Sequence, residues 1–328
     1  MGFNINRYKN RIVQEYELEI ITPMFLGGAE PNSAELRTAS IKGMLRFWWR
    51  ALYGSNDLKK MKGDEDNIFG STNKKSDLVI KILSENIVSK IPNGFPKGDQ
   101  YPVPSKPFKP NIIDYLAYGL HDYKKGVVYH TKCILPGINF LLTVTYNQQY
   151  EREINNALNF LINFGGLGSR SRNGFGSMRI INKQSNISFQ NSSKKSLVKF
   201  TAISKETKLF LFKSRNTWEE ALSKIGIAYK DARLYLEKKR NFEKRGLVAM
   251  PIEVKHEIIP DYIKKGRHAK PYFLHVNKLD NGKYQGKILF MPYEYYKSNK
   301  RDEYIEACNQ MNKYIEDNFE VEVKNVFS

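Results

Sequence analysis

Two stretches of this sequence, on either side of a polar, serine-rich segment at 182–196, spell out the same order of elements, and that recurrence constrains the fold more than any other feature. In the first stretch EYELEIIT (15–22) alternates polar and apolar residues, as a half-buried strand does, and ends at Pro23. After a glycine turn, Ser40 is the expected N-cap of a helix whose apolar Ile41, Met44, Leu45, Trp48 and Leu52 recur at helical spacing until Gly54 stops it. Residues 55–77 are polar and mixed in charge apart from Ile68, Phe69 and Gly70, and read as a loop with a short anchored turn. DLVIKIL (77–83) reads as a strand, as do residues 127–134 and 138–146. Residues 153–164 form an amphipathic helix through Ile154, Leu158, Leu161 and Ile162 that runs into a glycine-rich segment. Between these strands, six prolines over residues 92–110, interleaved with Phe95, Tyr101 and Phe108, forbid a regular helix or central strand and mark a long insertion.

The second stretch repeats the order. Strands are expected at 197–203 and 208–213. A helix follows, opened by a capping box of Thr217 and Glu220 and running to about residue 240 despite Gly226. A hairpin over residues 271–292 turns at Asp280-Asn281-Gly282, and a last helix carries Ile305, Cys308, Met311, Ile315 and Phe319 on one stripe. Each half thus reads strand, helix, paired strands, helix, strand, with the final strand faintest in the second half. That order fits a split βαβ unit. The expected fold class is α+β, two ferredoxin-like (RRM-like) domains in tandem with loop insertions. The expected domains are residues 1–185, holding the proline-rich insertion and the glycine-rich loop, and residues 195–328.

Charge narrows the partners. The 53 Lys and Arg against 34 Asp and Glu give +19 and a pI near 9.6 in a chain with an ordinary globular share of apolar residues. A surplus of that size points to a polyanion, without naming which, because phosphate attraction carries no sequence information. No run of 18 apolar residues occurs and the first twenty residues lack the apolar core of a signal peptide, so the expectation is a cytoplasmic protein with no membrane partner. Two cysteines, Cys133 and Cys308, are too few for a disulfide framework or a zinc site of their own and read as buried small hydrophobes.

The sharpest local signal is GGLGSRSRNGFGSMRI (165–180), whose first twelve residues hold Gly165, Gly166, Gly168, Gly174 and Gly176 with Ser169, Arg170, Ser171 and Arg172. Such glycines expose backbone donors, and the arginines supply forked cations for phosphate oxygens. A Rossmann fingerprint would need glycine where Ser171 stands, and a Walker loop would need Gly-Lys before Ser or Thr; both need a strand before the loop, where here a helix precedes it. No nucleotide cofactor is therefore expected, nor any metal. The string around Gly174, Phe175 and Gly176 shares part of the RNP1 pattern, with Ser177 in place of an aromatic. On the first helix Lys42, Arg46 and Arg50 follow at i, i+4, i+8 beside Trp49 and Tyr53, which describes either a solvated charged face or cations flanking an aromatic fit for base stacking.

In the second half Lys238, Lys239, Arg240, Lys244 and Arg245 cluster near a helix end, where they also complement its dipole; Lys264, Lys265, Arg267, His268 and Lys270 precede the hairpin. None of the five histidines, His121, His130, His256, His268 and His275, is paired with another at metal-ligand spacing, although any could act as a general base in RNA cleavage. Asp57, Asp64, Glu65 and Asp66 sit among lysines and read as a solvated charged loop.

The segment EIITPMFLGGAEPNSAELRTASIKGMLRFWWRALYG (19–54), with its Lys-Gly-Met-Leu-Arg-Phe-Trp-Trp-Arg core, closely resembles the N-terminal signature of the RAMP-superfamily proteins that form the first subunit of type III-B CRISPR (Cmr) effector complexes. IFGS at 68–71 and the loop GGLGSRSRNGFG resemble two further RAMP elements, while the second half is matched mainly by the order of its elements and by RHAKPYFLHVNKL. The resemblance implies two ferredoxin-like domains in a complex that uses a guide RNA against foreign RNA in antiviral defence. It implies a capping subunit near the guide's 3′ region that contacts guide RNA, target RNA and other effector subunits, cleavage belonging to a different subunit. Carried over by position, RNA contacts fall on Lys42, Arg46 and Arg50 and on Gly166, Gly168, Ser169, Arg170 and Arg172, with Trp49 or Phe175 stacking on a base. Arg267 and His268 are added from charge alone. Two other functions stay open: a metal-independent RAMP endoribonuclease acting on guide precursor through a histidine, and a protein-only assembly scaffold.

Overall fold

The computed structural model describes residues 10–28, 33–84, 89–90, 97–102, 107, 109–122, 128–129, 131–182, 196–237, 242–252 and 259–325. The chain divides into two compact units, Met1–Phe95 with Gly119–Asn191, and Pro96–Tyr118 with Ser192–Ser328. Most of the proline-rich stretch with Phe95 and Phe108, most of the serine-rich segment, Lys238, Lys239 and Arg240, and His130 and His256 lie outside the described residues.

In the first unit β1 (Arg11–Ile20), β2 (Val79–Leu83), β7 (Asn139–Asn147) and β8 (Met178–Ile180) form an antiparallel sheet in the order β2-β7-β1-β8. Short pairs join β3 (Ser89–Lys90) to β6 (Cys133–Ile134) and β4 (His121–Asp122) to β5 (Val128–Tyr129), which is how the expected strand at 127–134 is realised. Two helices, α1 (Thr38–Tyr53) and α4 (Glu151–Phe164), cover one sheet face, onto which Tyr16, Leu18, Ile20, Phe140, Leu142 and Val144 point. This is the ferredoxin-like arrangement. The first turn of α1 begins two residues before Ser40: Arg37 occupies the cap without a side-chain bond, and the amide of Ser40 donates to the Arg37 carbonyl at 3.1 Å.

The stretch expected as a loop at 55–77 holds a full helix, α2 (Leu58–Phe69), capped by the Asp57 carboxylate, which accepts from the Lys60 amide at 3.0 Å. It escapes an apolar-periodicity test because its central buried residue is Glu65, not a hydrophobe.

The second unit repeats the plan with β9 (Lys208–Phe212), α5 (Trp218–Tyr235), β10 (Tyr272–Lys278), β11 (Tyr284–Phe290), α8 (Arg301–Asn318) and β12 (Val321–Asn325), in sheet order β10-β11-β9-β12. Two short helices, α6 (Glu243–Val248) and α7 (Asp261–Lys265), fill the connection after α5. Thr217 caps α5 by accepting from the Glu220 amide at 3.2 Å, and the Glu220 carboxylate accepts in return from the Asn216 amide at 3.1 Å. The helix ends at Tyr235 rather than near 240, and Gly226 within it has a packing reason. A methyl there would meet Leu116 at 2.8 Å and Ile112 at 3.0 Å, residues of the short α3 (Ile112–Leu116) that follows the prolines and packs on α5. Residues 197–203 are not a strand. Val198, Ala202 and Ile203 are buried, but the segment is tied by a bond from the Glu294 amide to the Val198 carbonyl at 2.6 Å rather than by a ladder. Cys133 and Cys308 are buried, and burial pushes both thiols up to about 12. Among the described residues no helix is long and apolar enough to cross a membrane.

Candidate nucleic-acid interface

The cationic stripe of α1 is partly committed to structure. Glu65 of α2, only 4% exposed, faces both arginines: Arg50 grips it with two nitrogens, the second at 2.7 Å, and Arg46 Nε lies 3.1 Å from it. The Arg46 guanidinium also donates to the carbonyls of Gly70 (2.8 Å) and Phe69 (3.2 Å) and lies 5.6 Å from the Phe69 ring. These two arginines therefore latch α2 to α1, and the expectation of a solvated acidic loop is corrected at Glu65. Two arginines against one carboxylate still leave a positive charge at the surface. Lys42, one turn earlier, makes no ion pair among the described residues; partial burial and the neighbouring Arg46 charge lower its ammonium from the ordinary lysine range.

The glycine-rich segment is knitted rather than loose. Its Leu167 amide donates to Gly176, Ser169 to Phe25, Asn173 to Arg170, Gly174 to Ser171 and Gly176 to Pro23, all within 3.2 Å. Thr22 and Ser177 close the base, the Thr22 hydroxyl donating to the Gly174 carbonyl at 2.7 Å and accepting from the Ser177 amide at 2.9 Å. Gly168, at φ +90°, leaves no room for a methyl, which would collide with the Phe25 carbonyl, and a methyl on Gly166 would meet the Phe175 carbonyl at 2.5 Å. These two glycines serve close backbone approach within the fold, and about half of the loop's amides are already used, contrary to the expected row of bare donors. Phe175 is 0% exposed and sits edge-on to Phe25 at 5.5 Å; Trp49 is 2% exposed and donates its indole N–H to Glu153. Neither ring presents a face to a base, so both stacking assignments are corrected. Arg50 and Arg172 stand near them in the sequence, but the helical phase of Trp49 and the tight turn around Phe175 direct the two rings inward.

What remains outward is a coherent strip. Arg172 of the loop lies over the ring of Phe47 on α1, its guanidinium 5.5 Å from the centroid, so the loop and the helix share one side of this unit. Phe47 falls on the opposite side of Gly43 from Lys42 and Arg46 around the helix. Gly43 is exposed, and a side chain added there would meet nothing within 4 Å. A bare stretch of helix is thus bordered by Lys42, Arg46 and Arg50 on one hand and by Arg172 with the exposed Ser169 and Arg170 on the other. Arg170 holds a left-handed backbone at φ 59° and lays its guanidinium against Gly119.

The uncovered face of the sheet makes a poor alternative. RNA-binding sheets of this fold carry aromatics on their central strands. Here β1 presents Val13, Glu15 and Glu17, paired with Thr145, Thr143 and Leu141 of β7. The face carries no aromatic ring, and its Arg11, Lys81 and Arg179 stand among Glu15, Glu17 and Glu19, so it offers no cationic surplus to phosphate. The partial RNP1 match at 174–176 lies in the loop before β8, not on a central strand.

Of the remaining candidates, Arg267, His268 and His275 belong to the second unit and His121 to the first. Arg267 directs one nitrogen at three carbonyls, Gly266 (2.9 Å), Lys265 (3.3 Å) and Lys264 (3.4 Å), and so closes the last turn of α7. His268 is half-buried beside Tyr293, Tyr295 and Tyr296, with Nε2 at 2.9 Å from the Leu247 carbonyl; burial holds its pKa below the ordinary histidine value. His121 and His275 are buried, His121 edge-on to Tyr129 and His275 2.6 Å from the Asn277 side chain.

Residues 17–179, the stretch that contains this strip, match the family model of the RAMP superfamily. CRISPR system Cmr subunit Cmr1-2 of Pyrococcus furiosus is 29% identical over 176 residues, which cover 50% of this chain and 93% of that protein. Subunit Cmr1-1 of the same organism is 33% identical over 183 residues, 53% of this chain and 49% of that longer relative. The crystal structure of apo Cmr1 from Pyrococcus furiosus superposes with a TM-score of 0.60 at 20% identity, over 97% of this chain and 99% of that one. A chain of the type III-B Cmr-beta complex, solved bound to cognate target RNA, superposes with a TM-score of 0.50 at 14% identity, over 94% and 100%. At such identities these structural matches speak for the shared fold, while the sequence match over the first unit speaks for descent: the chain belongs to the RAMP superfamily.

Proposed function

We propose that this chain is a non-catalytic RNA-binding subunit of a type III-B CRISPR effector complex, holding guide or target RNA along the strip between α1 and the glycine-rich loop. The observation that carries the reading is the Arg172–Phe47 contact, which puts the arginine-bearing loop and the lysine-bearing helix on either side of an unobstructed helical backbone. Lys42 supports it too: partial burial first, and the Arg46 charge second, lower its ammonium, and a phosphate alongside would offset that repulsion. The relatives that are Cmr subunits supply the complex and the partners by analogy. A binding rather than cleaving role is supported by the three described histidines, since His121 and His275 are buried and His268 is engaged with a backbone carbonyl.

The test is single-stranded RNA binding by fluorescence anisotropy across a salt series. Lys42→Ala and Arg170→Ala, which remove exposed or half-exposed cations outside the Glu65 latch, should each reduce the slope of log K against log salt by about 0.7 and weaken all sequences alike. Unchanged slopes in both would overturn the assignment of the strip. Incubation with guide precursor in EDTA separates the nuclease reading: defined products that vanish on His268→Ala would replace a binding role with a catalytic one.

A further inference from the structure

The second unit holds a cavity of about 550 Å³, separate from the strip of α1 and lined by Leu236, Leu247, Tyr262, Tyr295, Tyr296 and Lys297 among others. Its aromatic wall is built in depth. Tyr304 stacks on Tyr295 at 5.0 Å, Tyr295 backs Tyr296 at 4.8 Å, and the His268 ring stands beside both at 5.5 and 6.0 Å. Two rings at the rim reach solvent, Tyr262 at 47% and Tyr296 at 57% exposure, and the Lys297 ammonium lies between them, 5.2 Å from one centroid and 5.6 Å from the other. The lining carboxylates differ in their commitments. Glu237 is held by Arg245 at 2.9 Å and Glu303 by Lys300 at 2.7 Å, whereas Glu243 makes no ion pair among the described residues.

We propose that this cavity binds one unpaired nucleotide of an RNA strand, with the base stacked on Tyr296 or Tyr262 and the adjoining phosphate taken by Lys297 and Lys244. The chemistry of the wall selects that ligand. Exposed tyrosine faces suit a flat π-system, and a base on either face displaces Lys297 from a weaker cation–π contact and leaves its ammonium beside the phosphate. The Glu243 carboxylate can only accept, so it favours a base edge that carries an exocyclic amine or ring N–H over one that presents carbonyls alone. The volume falls in the range of small-ligand sites, with apolar Leu236 and Leu247 in the lining. The proposal rests on the chain being an RNA binder, yet it names a second contact region, on a different unit from the strip of α1.

The experiment is photocrosslinking of the full chain to a mixed-sequence single-stranded RNA carrying 5-iodouridine, with the linked residues mapped by mass spectrometry, beside anisotropy of the same RNA on variants. Crosslinks at Tyr262 or Tyr296 are expected. Tyr296→Ala should weaken binding about tenfold, while Tyr296→Phe, which keeps the ring, stays within about twofold of wild type. Crosslinks confined to the α1 strip, with Tyr296→Ala binding as wild type, would overturn the cavity and leave the RNA reading intact. Loss of binding in Lys42→Ala and Arg170→Ala, together with no crosslink at either tyrosine, would likewise remove the cavity and keep the strip. Absence of RNA binding by the wild-type chain would overturn both. Because Tyr296 is exposed, thermal melts of the Ala and Phe variants should match wild type, which keeps a folding defect separate from a lost contact.

Discussion

Two glycines in the first unit illustrate how one residue type can serve opposite ends. Gly168 takes a left-handed φ and leaves no room beside the Phe25 carbonyl, so Gly168→Ala is expected to destabilise the protein by about 1–3 kcal/mol in urea unfolding. Gly43 has neither constraint: it sits mid-helix, faces open space, and by propensity weakens α1 by about 0.5–1 kcal/mol relative to alanine. Gly43→Ala should therefore raise stability by that amount. The longer Gly43→Gln, which fills the strip, should lower RNA affinity without lowering the melting temperature. If Gln at 43 binds RNA as tightly as glycine, no strand passes over the helix there. A third residue sets a pH dependence. Lys287 on β11 is buried, and desolvation, with Lys324 adding repulsion, brings its pKa from 10.5 down to about 8. The folded state then binds fewer protons than the unfolded chain between those two values, so unfolding free energy rises with pH across that window. At about 1.4 kcal/mol per pH unit, wild type should gain roughly 2 kcal/mol between about pH 8 and 9.5 relative to Lys287→Met, a difference that urea titrations at the two pH values would measure.

Among the elements, those with one clean apolar face are legible in the sequence, and those organised around a charge are not. The helices α1, α4, α5 and α8 and the strands β1 and β7 each present a continuous stripe to a core, and their periodicity survives in the residues. Helix α2 is held by Glu65 beneath Arg46 and Arg50, a polar contact across 15 residues and more that no local pattern encodes. The site has the same division. In the sequence Arg46 and Arg50 are cations fit for RNA, and the carboxylate they share comes into reach only when α2 folds against α1. Trp49 and Phe175 carry the right chemistry for stacking, but their burial depends on helical phase and on the backbone turn at Gly176. Lys42 and Arg170 keep their cations outward, with no carboxylate gripping either among the described residues. Glu65→Gln should release the latch. With both arginines partly exposed the loss is reduced below that of a fully buried pair, to about 1–2 kcal/mol. Amide hydrogen exchange should quicken across Leu58–Phe69 while β1 and β7 keep their protection; the exposed Asp64→Asn, as a control, should change neither.

At the scale of the whole molecule, a formal charge of +19 would attract RNA to any surface if total charge were what mattered. Screening makes place matter more. At physiological salt the Debye length is about 8 Å, so a phosphate senses the cations it touches and little of those across a domain. The uncovered sheet face of the first unit offers a test, because Glu15, Glu17 and Glu19 balance its Arg11, Lys81 and Arg179 while the strip beside α1 keeps a positive surplus. Replacing Glu15 and Glu17 by lysine makes the chain more positive without touching Lys42, Arg170 or Arg172. If RNA is held by the strip, affinity at about 0.15 M salt should stay within about twofold of wild type and the salt slope should not steepen. If bulk charge governs, both should rise, and the gain should be about twice what Lys42→Ala and Arg170→Ala together lose, because each reversal changes the charge twice as much as each truncation. Measured on the same RNA, the two variant sets distinguish a located interface from a diffuse cloud of positive charge, since only a located one responds to cations removed at the strip and ignores cations added to the sheet.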